Sequence, residues 1–274
     1  MKLRYAVIGN PVAHSKSPEI HAAFAAQTGI DLRYERLVAP PDRFCATVEE
    51  FRTHGGRGAN VTLPFKLDAF AYATDVSKRA RDAGAVNTLT FDATRVFGDN
   101  TDGVGLVKDL HDNLKCPIAG KRVLILGAGG AARGVIGPLL TEGPAVIAVA
   151  NRTFSKAEEI IQLYSPVGNI IVIALTDIPG HQFDIVINAT AASLENDLPI
   201  IPRSAFAEGS LAYDMMYGKG LTPFLALGRQ AGASVADGLG MLVEQAAESF
   251  LIWHGIRPHT DTVFRKLRLS APLN

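Results

Sequence analysis

The segment from Val123 to Ala132 constrains this chain most strongly, because a short apolar run leads directly into a glycine-rich turn. Val123–Leu126 predicts a buried strand, and the sequence Gly127-Ala128-Gly129-Gly130-Ala131-Ala132 matches the pattern G-x-G-x-x-G/A. In that pattern the first glycine allows a tight turn, the second lets the backbone approach a pyrophosphate, and the small last residue lets helix and strand pack closely. Backbone N–H groups at the start of the next helix then face the phosphate charge. We therefore predict a dinucleotide site in the middle of the chain, the alternative being an ordinary strand–helix turn.

Strands and helices are predicted to alternate on both sides of this turn. The expected strands cover residues 3–8, 34–38, 59–63, 85–91, 95–97, 123–126, 145–150, 170–175, 185–187, 211–214 and 233–237. The expected helices cover residues 17–29, 42–54, 66–84, 104–114, 223–230, 240–253 and 260–267. This alternation predicts an α/β fold with parallel sheets covered on both faces. We expect two domains, with the active site in a cleft between them and a boundary near Asp102.

Composition excludes several classes of protein. The chain has 274 residues, with 27 basic and 27 acidic side chains, and this balance disfavours a nucleic-acid binder. No apolar run approaches the roughly 20 residues of a membrane span, and Met1–Tyr5 lacks a signal-peptide pattern. Cys45 and Cys116 lie far apart and form no C-x-x-C pair, which fits a reducing cytoplasm. The seven histidines show no zinc-binding spacing, so we expect no metal.

The residues after the second strand of the nucleotide domain indicate the cofactor. NAD-dependent enzymes place Asp or Glu there to accept a hydrogen bond from the ribose 2′-OH. This chain has Asn151-Arg152-Thr153, followed by Lys156, and no acid. An arginine pairs with a 2′-phosphate through charge-assisted hydrogen bonds. We infer NADP(H) over NAD(H), the alternative being that Arg152 and Lys156 are solvated charges at a helix start.

Polar residues near the ends of the first strands form the candidate catalytic site. The candidates are Ser15, Lys16, Ser17, Asn60, Thr62, Lys66, Asn87 and the segment Asn100-Thr101-Asp102-Gly103. Each has a structural interpretation, such as Ser17 or Asp102 as a helix cap and Asn87 as an edge-strand residue. Together their hydroxyls, amides, amine and carboxylate suit a small polyhydroxylated molecule. Reversible carbonyl reduction needs a group that handles the proton at oxygen, and we predict that Lys66 paired with Asp102 fills this role.

Several segments, in this order, resemble shikimate dehydrogenases. They are Gly9-Asn10-Pro11-Val12-Ala13-His14-Ser15-Lys16-Ser17-Pro18, Asn60-Val61-Thr62-Leu63-Pro64-Phe65-Lys66, Ala83-Gly84-Ala85-Val86-Asn87-Thr88, Asn100-Thr101-Asp102-Gly103, the glycine turn through Arg133, Asn151-Arg152-Thr153, Tyr213-Asp214-Met215 and the run from Asp237 to Ala246. The resemblance implies NADPH-dependent reduction of 3-dehydroshikimate to shikimate in aromatic amino-acid biosynthesis. It also implies a substrate domain of residues 1–101 and 238–274, with a mixed, mainly parallel sheet, and a Rossmann-type NADP domain of residues 102–237.

The resemblance assigns roles to individual residues. Lys66 is expected to be the acid/base and Asp102 its partner. The expected substrate-binding residues are Ser15 and Ser17, which would hold the carboxylate, and Thr62, Asn87, Asp102, Tyr217 and Gln245. The expected cofactor-binding residues are Gly127, Ala128, Gly129, Gly130 and Ala131 at the pyrophosphate, Asn151, Arg152, Thr153 and Lys156 around the 2′-phosphate, and Met215 and Gly238 near the nicotinamide.

The chain departs from the family pattern at Ala191-Ala192-Ser193, after Asn-Ala-Thr, and at Lys78, where many relatives carry an acid. The nearest alternative is a quinate/shikimate dehydrogenase with relaxed cofactor use. A second alternative is a catalytically silent sensor, which the retention of Lys66 and Asp102 argues against. The expected partner is the small-molecule substrate, with no nucleic acid and no membrane. A homodimer is left open, because the sequence shows neither an interface patch nor a coiled coil.

Overall fold

The computed structural model describes residues 2–190, 201–218 and 220–273. Its strands are β1 (Leu3–Gly9), β2 (Leu32–Val38), β3 (Gly56–Val61), β4 (Asp75–Val76), β5 (Thr88–Phe91), β6 (Val96–Asp99), β7 (Arg122–Leu126), β8 (Val146–Ala150), β9 (Ile170–Val172), β10 (Phe183–Asn188), β11 (Phe206–Asp214) and β12 (Ser234–Asp237). Its α-helices are α1 (Ser17–Thr28), α2 (Phe44–Thr53), α3 (Lys66–Tyr72), α4 (Lys78–Ala83), α5 (Asp102–Lys108), α6 (Gly130–Thr141), α7 (Phe154–Tyr164), α8 (Pro223–Gln230), α9 (Leu239–His254) and α10 (Asp261–Ser270). The α/β class predicted from the alternating pattern is confirmed.

The chain divides into two compact units. Unit 1 contains Met1–Gly105 and Leu242–Val263, and unit 2 contains Leu106–Met241 and Phe264–Asn274. Residues 238–274 were predicted to belong together to the first domain, whereas residues 238–241 and 264–273 fall in unit 2. An ion pair between Arg268 and Asp237 joins α10 to the end of β12 within unit 2. These units describe packing, and the functional domain boundaries stay a prediction.

Unit 1 is built on a six-stranded mixed sheet with the order β2-β1-β3-β5-β6-β4. β1 pairs in parallel with β2 and β3, and β4 pairs in parallel with β6. β5 runs antiparallel to both β3 and β6. Since β1 and β3 are parallel neighbours, their carboxyl ends lie at the same edge of the sheet. The loops that follow them are joined there, because Asn10 N donates to Leu63 O at 2.9 Å and Thr62 N donates to Ile8 O at 2.9 Å.

One long predicted helix, residues 66–84, is wrong, because the chain forms α3, then β4, then α4. Thr74 N donates to Val96 O and Ser77 N donates to Gly98 O, both at 2.9 Å, so this segment joins the sheet beside β6. The Ser77 hydroxyl then accepts from Ala80 N and caps α4. As a result β4, and not the predicted β5–β6 hairpin, forms the edge of the sheet.

Unit 2 contains a six-stranded parallel sheet with the order β12-β11-β10-β7-β8-β9. Alternate residues of its central strands enter different apolar clusters: Val123 and Ile125 contribute to one, Leu124 and Leu126 to the other. Burial on both faces explains why the strand is apolar without interruption. This sheet is the predicted Rossmann-type fold.

Two predicted elements of unit 2 differ in detail. The strand predicted at 170–175 ends at Val172, and the helix predicted at 104–114 changes after Lys108 into one π-helical turn, Asp109–Asn113. Within this turn the buried Asp109 carboxylate accepts from Tyr213 Oη at 2.6 Å and from Asn113 Nδ2 at 2.8 Å. Burial, together with the neighbouring Asp109 carboxylate, raises the pKa of Tyr213 well above its ordinary value.

Across the described ranges, the structure has no helix both long enough and apolar enough to cross a membrane.

Candidate active site and dinucleotide site

Lys66 and Asp102, which the sequence analysis paired, are in contact. Lys66 is the first residue of α3, shortly after β3, and Asp102 is the first residue of α5, shortly after β6. Lys66 Nζ lies 2.5 Å from Asp102 Oδ2. The side chains are 16% and 7% exposed, so the pair is largely shielded from water while the amine keeps some access to a ligand. An amine held against a carboxylate in this way is suited to moving a proton to or from a bound oxygen.

Asn87 connects this pair to the rest of the site. The chain places it just before β5, where Val61 N donates to its carbonyl at 2.7 Å. Its side-chain Nδ2 donates to Asp102 Oδ1 at 2.8 Å, so both carboxylate oxygens of Asp102 have a donor. The same Nδ2 lies 3.4 Å from Gln245 Oε1, on α9. The structure thus brings together four of the predicted residues, Lys66, Asp102, Asn87 and Gln245, in unit 1.

Ser15 and Ser17 lie in the loop between β1 and α1. Ser15 Oγ donates to Ser17 Oγ at 3.1 Å, so the two hydroxyls lie side by side. The expectation that Ser17 caps the helix is wrong, because Lys16 occupies the cap position and Ser17 is the first helical residue. The Ser17 hydroxyl is therefore not used in capping. Thr62 is another predicted substrate residue of unit 1. It follows β3 directly and lies at the same edge of the sheet as this loop.

Some residues near the catalytic pair were not predicted from the sequence. Ser249 is fully buried on α9, one turn after Gln245, and its hydroxyl lies 2.9 Å from Thr88 Oγ1. Asn60, a candidate without an assigned role, donates from Nδ2 to Ser249 Oγ at 2.9 Å. The spacing of Gln245 and Ser249 by four residues on α9 was the one local indication that the two side chains share a face of the helix.

The glycine turn of unit 2 has the shape that a pyrophosphate requires. Gly127 has φ +111°, a conformation that L side chains rarely adopt, and an added Cβ would meet the backbone of Ala189 at 3.2 Å. At Gly129 an added Cβ would meet nothing within 4 Å, so the space in front of the helix start is open. Ala132 is fully buried where α6 packs on the sheet. The predicted pyrophosphate residues, Gly127, Ala128, Gly129, Gly130 and Ala131, therefore form a turn at the N-terminus of α6 that fits a dinucleotide.

The segment after β8 carries the predicted 2′-phosphate residues. Asn151 Nδ2 donates to Thr153 O at 2.8 Å and so closes the turn into α7. The side chains of Arg152 and Lys156 are exposed. The nearby Arg133 pairs with Glu159 at 2.8 Å, and no ion pair of the described residues involves Arg152 or Lys156. Both cations are available to an anionic ligand.

The backbone of Gly238 packs directly against the segment that begins at Met215 in unit 2. Met215 N donates to Asn188 O at 3.0 Å, and Gly238 N donates to Met216 O at 3.0 Å. An added Cβ on Gly238 would overlap the Met215 carbonyl, so this position requires glycine. Tyr217 follows in the same segment of unit 2 and is partly buried. The segment thus places Met215 and Tyr217 directly beyond the carboxyl end of β11.

Of the two departures from the family pattern, Ala191-Ala192-Ser193 lies outside the described residues. Lys78 is exposed and pairs with Asp82, one turn further along α4, at 2.6 Å. Its charge is therefore satisfied within the helix.

The described residues contain no group of three or more His, Cys, Asp and Glu side chains that could hold a metal ion.

Three family models match successive segments of this chain. Residues 7–89 match the family model of the shikimate dehydrogenase substrate binding domain, residues 109–214 that of shikimate / quinate 5-dehydrogenase, and residues 238–267 that of the shikimate 5′-dehydrogenase C-terminal domain. A Nitrosospira multiformis protein named shikimate dehydrogenase (NADP(+)) is 58% identical over 267 residues, which cover 97% of each chain.

Two solved structures are similar to this chain over nearly its whole length. An Ael1 enzyme from Pseudomonas putida is 46% identical with a TM-score of 0.91, and the match covers 100% of both chains. The shikimate 5-dehydrogenase of Thermus thermophilus, solved with NADP(H) and shikimate, is 34% identical with a TM-score of 0.87, over 98% of this chain and 99% of that one. The sequence, the two sheets and these matches together show that the chain belongs to the shikimate dehydrogenase family.

Proposed function

We propose that this protein catalyses the reversible NADPH-dependent reduction of 3-dehydroshikimate to shikimate, a step in aromatic amino-acid biosynthesis. The observation that carries the proposal is the contact of Lys66 with Asp102, supported by the Asn87 amide, in a member of this family. The Nitrosospira multiformis relative is named as an NADP(+) enzyme, and the Thermus thermophilus relative was solved with NADP(H) and shikimate. The proposal therefore joins a family assignment to a specific acid–base group in this chain.

Lys66 is the proposed proton donor in the direction of reduction. A carbonyl that accepts a hydride at carbon becomes an alkoxide, which needs a proton at oxygen. The protonated Lys66 side chain supplies that proton and is left as the neutral amine. In the reverse direction the amine takes the proton from the hydroxyl. Asp102 holds the amine in place through Oδ2 and is itself held by Asn87 through Oδ1. When bound, the nicotinamide supplies the hydride.

Substrate recognition is assigned to the neighbouring polar groups. Ser15 and Ser17 present two adjacent hydroxyls that suit the oxygens of a carboxylate. Asn87, Gln245 and Thr62 offer amide and hydroxyl groups to the ring hydroxyls, with Tyr217 as a further contact. A site rich in hydrogen-bonding groups discriminates strongly against analogues that lack a hydroxyl, because its buried polar groups would lose their partners.

The turn from Gly127 to Ala131 is proposed to hold the pyrophosphate, and Met215 with Gly238 the nicotinamide. Asn151, Thr153 and the exposed cations Arg152 and Lys156 are proposed to surround the 2′-phosphate. Two cations and no acid at this position favour NADP(H), because a carboxylate would repel the phosphate.

A two-by-two assay tests the proposal directly. Shikimate and quinate are each offered with NADP⁺ and with NAD⁺, and the absorbance of the reduced nicotinamide is followed. We expect the highest kcat/KM for shikimate with NADP⁺. The absence of turnover in all four combinations, from a protein that binds shikimate, would favour the silent sensor.

The alternative with relaxed cofactor use has a specific outcome in the same assay. The family model that matches residues 109–214 carries both shikimate and quinate in its description. A kcat/KM for quinate with NAD⁺ that equals or exceeds the value for shikimate with NADP⁺ would establish the quinate/shikimate alternative.

The cytoplasm is the proposed location. Cys45 and Cys116 are both free thiols in the structure, which fits a reducing compartment. A homodimer is the proposed assembly to test, by comparing the mass of the purified protein from light scattering with the 29.2 kDa of one chain.

A further inference from the structure

A buried group of hydroxyl and amide side chains lies behind the proposed catalytic pair in unit 1. It consists of Asn60 on β3, Thr88 on β5 and Ser249 on α9, and we call it the buried polar cluster. The three side chains are at most 5% exposed. They have no assigned role in the proposed chemistry. Buried polar groups of this kind are costly unless they are fully hydrogen-bonded, so their arrangement needs an explanation.

The orientation of the Asn87 side chain is determined by its neighbours. Its Oδ1 lies 2.8 Å from the backbone N–H of Thr101, and an N–H can only donate. The atom that faces Thr101 N must therefore be oxygen, and the amide nitrogen must face Asp102. Asn87 Oδ1 also accepts from Thr88 Oγ1 at 2.8 Å, so Thr88 supports the same orientation.

The proton inventory explains why Thr88 donates to Asn87. Each hydroxyl has one proton, whereas the Asn60 amide has two. Asn60 Nδ2 donates to Thr88 Oγ1 at 3.1 Å and to Ser249 Oγ at 2.9 Å. The Ser249 hydroxyl donates to Gln245 O at 3.0 Å. Thr88 Oγ1 lies 2.8 Å from Asn87 Oδ1 and 2.9 Å from Ser249 Oγ. Ser249 Oγ already accepts from Asn60, so we assign the Thr88 proton to Asn87 Oδ1.

The Asn60 amide is held in turn by Tyr34. Tyr34 Oη donates to Asn60 Oδ1 at 2.7 Å, which directs the Asn60 nitrogen towards the two hydroxyls. The hydrogen bonds therefore run in one direction, from Tyr34 through Asn60, Thr88 and Asn87 to the Asp102 carboxylate. Hydrogen bonds that share groups in such a series strengthen one another in a buried environment.

We propose that Thr88, held by Asn60 and Ser249, is a positioning residue that fixes the Asn87 amide and, through it, the Asp102 carboxylate that holds Lys66. This inference rests on the proposed function, because it assumes that Asn87 and Asp102 contact shikimate. Thr88 acts through Asn87 and does not touch the reacting atoms.

Thr88→Val tests the inference, because it removes the hydroxyl and nearly preserves the shape. The Asn87 amide then loses one of the donors that orient it. We expect the shikimate Kd, measured by calorimetry, and the shikimate KM to rise about tenfold, which is the effect of one net hydrogen bond to a buried group. The NADPH KM should stay within about twofold, since the proposed cofactor residues are in unit 2. Thr88→Ser, which restores the hydroxyl, should return both shikimate constants to within about threefold of wild type.

Thr90→Val is the matched control. Thr90 lies two residues further along β5, on the same face of the strand, and within the described part of the chain its hydroxyl has no hydrogen-bond partner. The chemical change is the same, and we expect its shikimate constants to equal those of wild type.

A purely structural role has a different signature. Loss of folded protein lowers the apparent kcat and leaves the KM values for shikimate and NADPH unchanged, and that result for Thr88→Val would overturn the inference. If Thr88→Val does not fold, Ser249→Ala decides, with an expected rise of about twofold or more in the shikimate Kd, and an unchanged value overturns the inference. Wild-type protein that neither binds nor oxidises shikimate would instead refute the proposed function.

Discussion

The stability of unit 1 is predicted to fall in mild acid because of His21. This side chain is fully buried in α1, and its ring stacks on Tyr34 with centroids 4.3 Å apart and an interplanar angle of 5°. The rings of Phe250 and Trp253 lie within 6.2 Å and 5.4 Å. The pKa of His21 is lowered from 6.5 to about 3, mainly by burial; a hydrogen bond with Asn60 opposes this shift and the charge of His254 adds to it. The imidazole is therefore neutral in the folded protein.

The magnitude follows from the two pKa values. Because the folded-state pKa is depressed, the unfolded chain binds a proton at His21 between about pH 6.5 and pH 3 and the folded protein does not. Stability is complete above pH 6.5 and decreases as the pH falls through this window. At pH 5, about 1.5 units below the unfolded pKa, the loss is about 2 kcal/mol.

Urea unfolding measures the loss. Trp253 is the single tryptophan of the chain and lies in the same aromatic group as His21, so its fluorescence reports on this unit. The free energy of unfolding of the wild-type protein is compared at pH 7 and at pH 5. His254, whose pKa is also lowered by burial, adds to the wild-type decrease. The contribution of His21 is therefore obtained by comparison with His21→Phe, which keeps an aromatic ring and cannot be protonated.

We expect His21→Phe to lose about 2 kcal/mol less than wild type between these two pH values. His259→Phe, a change at an exposed histidine, serves as the control and should keep the wild-type decrease. An equal decrease in His21→Phe and wild type would refute the argument that a neutral, buried His21 produces the acid sensitivity.

Three further predictions concern catalysis, cofactor binding and packing. Lys66→Ala should lower kcat by roughly 10²–10⁴-fold with a smaller change in KM, and near-normal turnover would remove Lys66 from the mechanism. The control Lys108→Ala, which removes the ion pair with Asp112 at the other end of α5, should have no effect on kcat. Arg152→Ala should raise the NADPH KM by about one to two powers of ten, from the loss of a charge-assisted contact of about 1.5–3 kcal/mol, and an unchanged KM would show that Arg152 does not contact the phosphate. Gly240→Ala should reduce the free energy of unfolding, measured by circular dichroism, by about 1–3 kcal/mol, because the added Cβ would overlap the buried Asp109 carboxylate. A variant with wild-type stability would show that the Asp109 side chain moves away at no cost in free energy.

The local parts of this protein were predictable from its sequence. The strand, glycine turn and helix at Val123–Ala132 form as expected, because an apolar run buried on both faces and a glycine with positive φ each leave a local pattern. The predicted contact between Lys66 and Asp102 also follows from a local pattern. Each begins a helix shortly after a strand of one sheet, and such positions converge at the sheet edge.

Contacts between distant segments were decided by the tertiary structure alone. Asn87 meets Gln245 across 158 positions of the chain, and Asn60 meets Ser249 across 189. β4 is another example, because its two residues become a strand only where β6 offers free backbone groups. The depressed pKa of His21 likewise depends on burial among rings from three elements. Periodicity and turn chemistry act over a few residues, whereas burial and long-range hydrogen bonds exist only once the elements have packed.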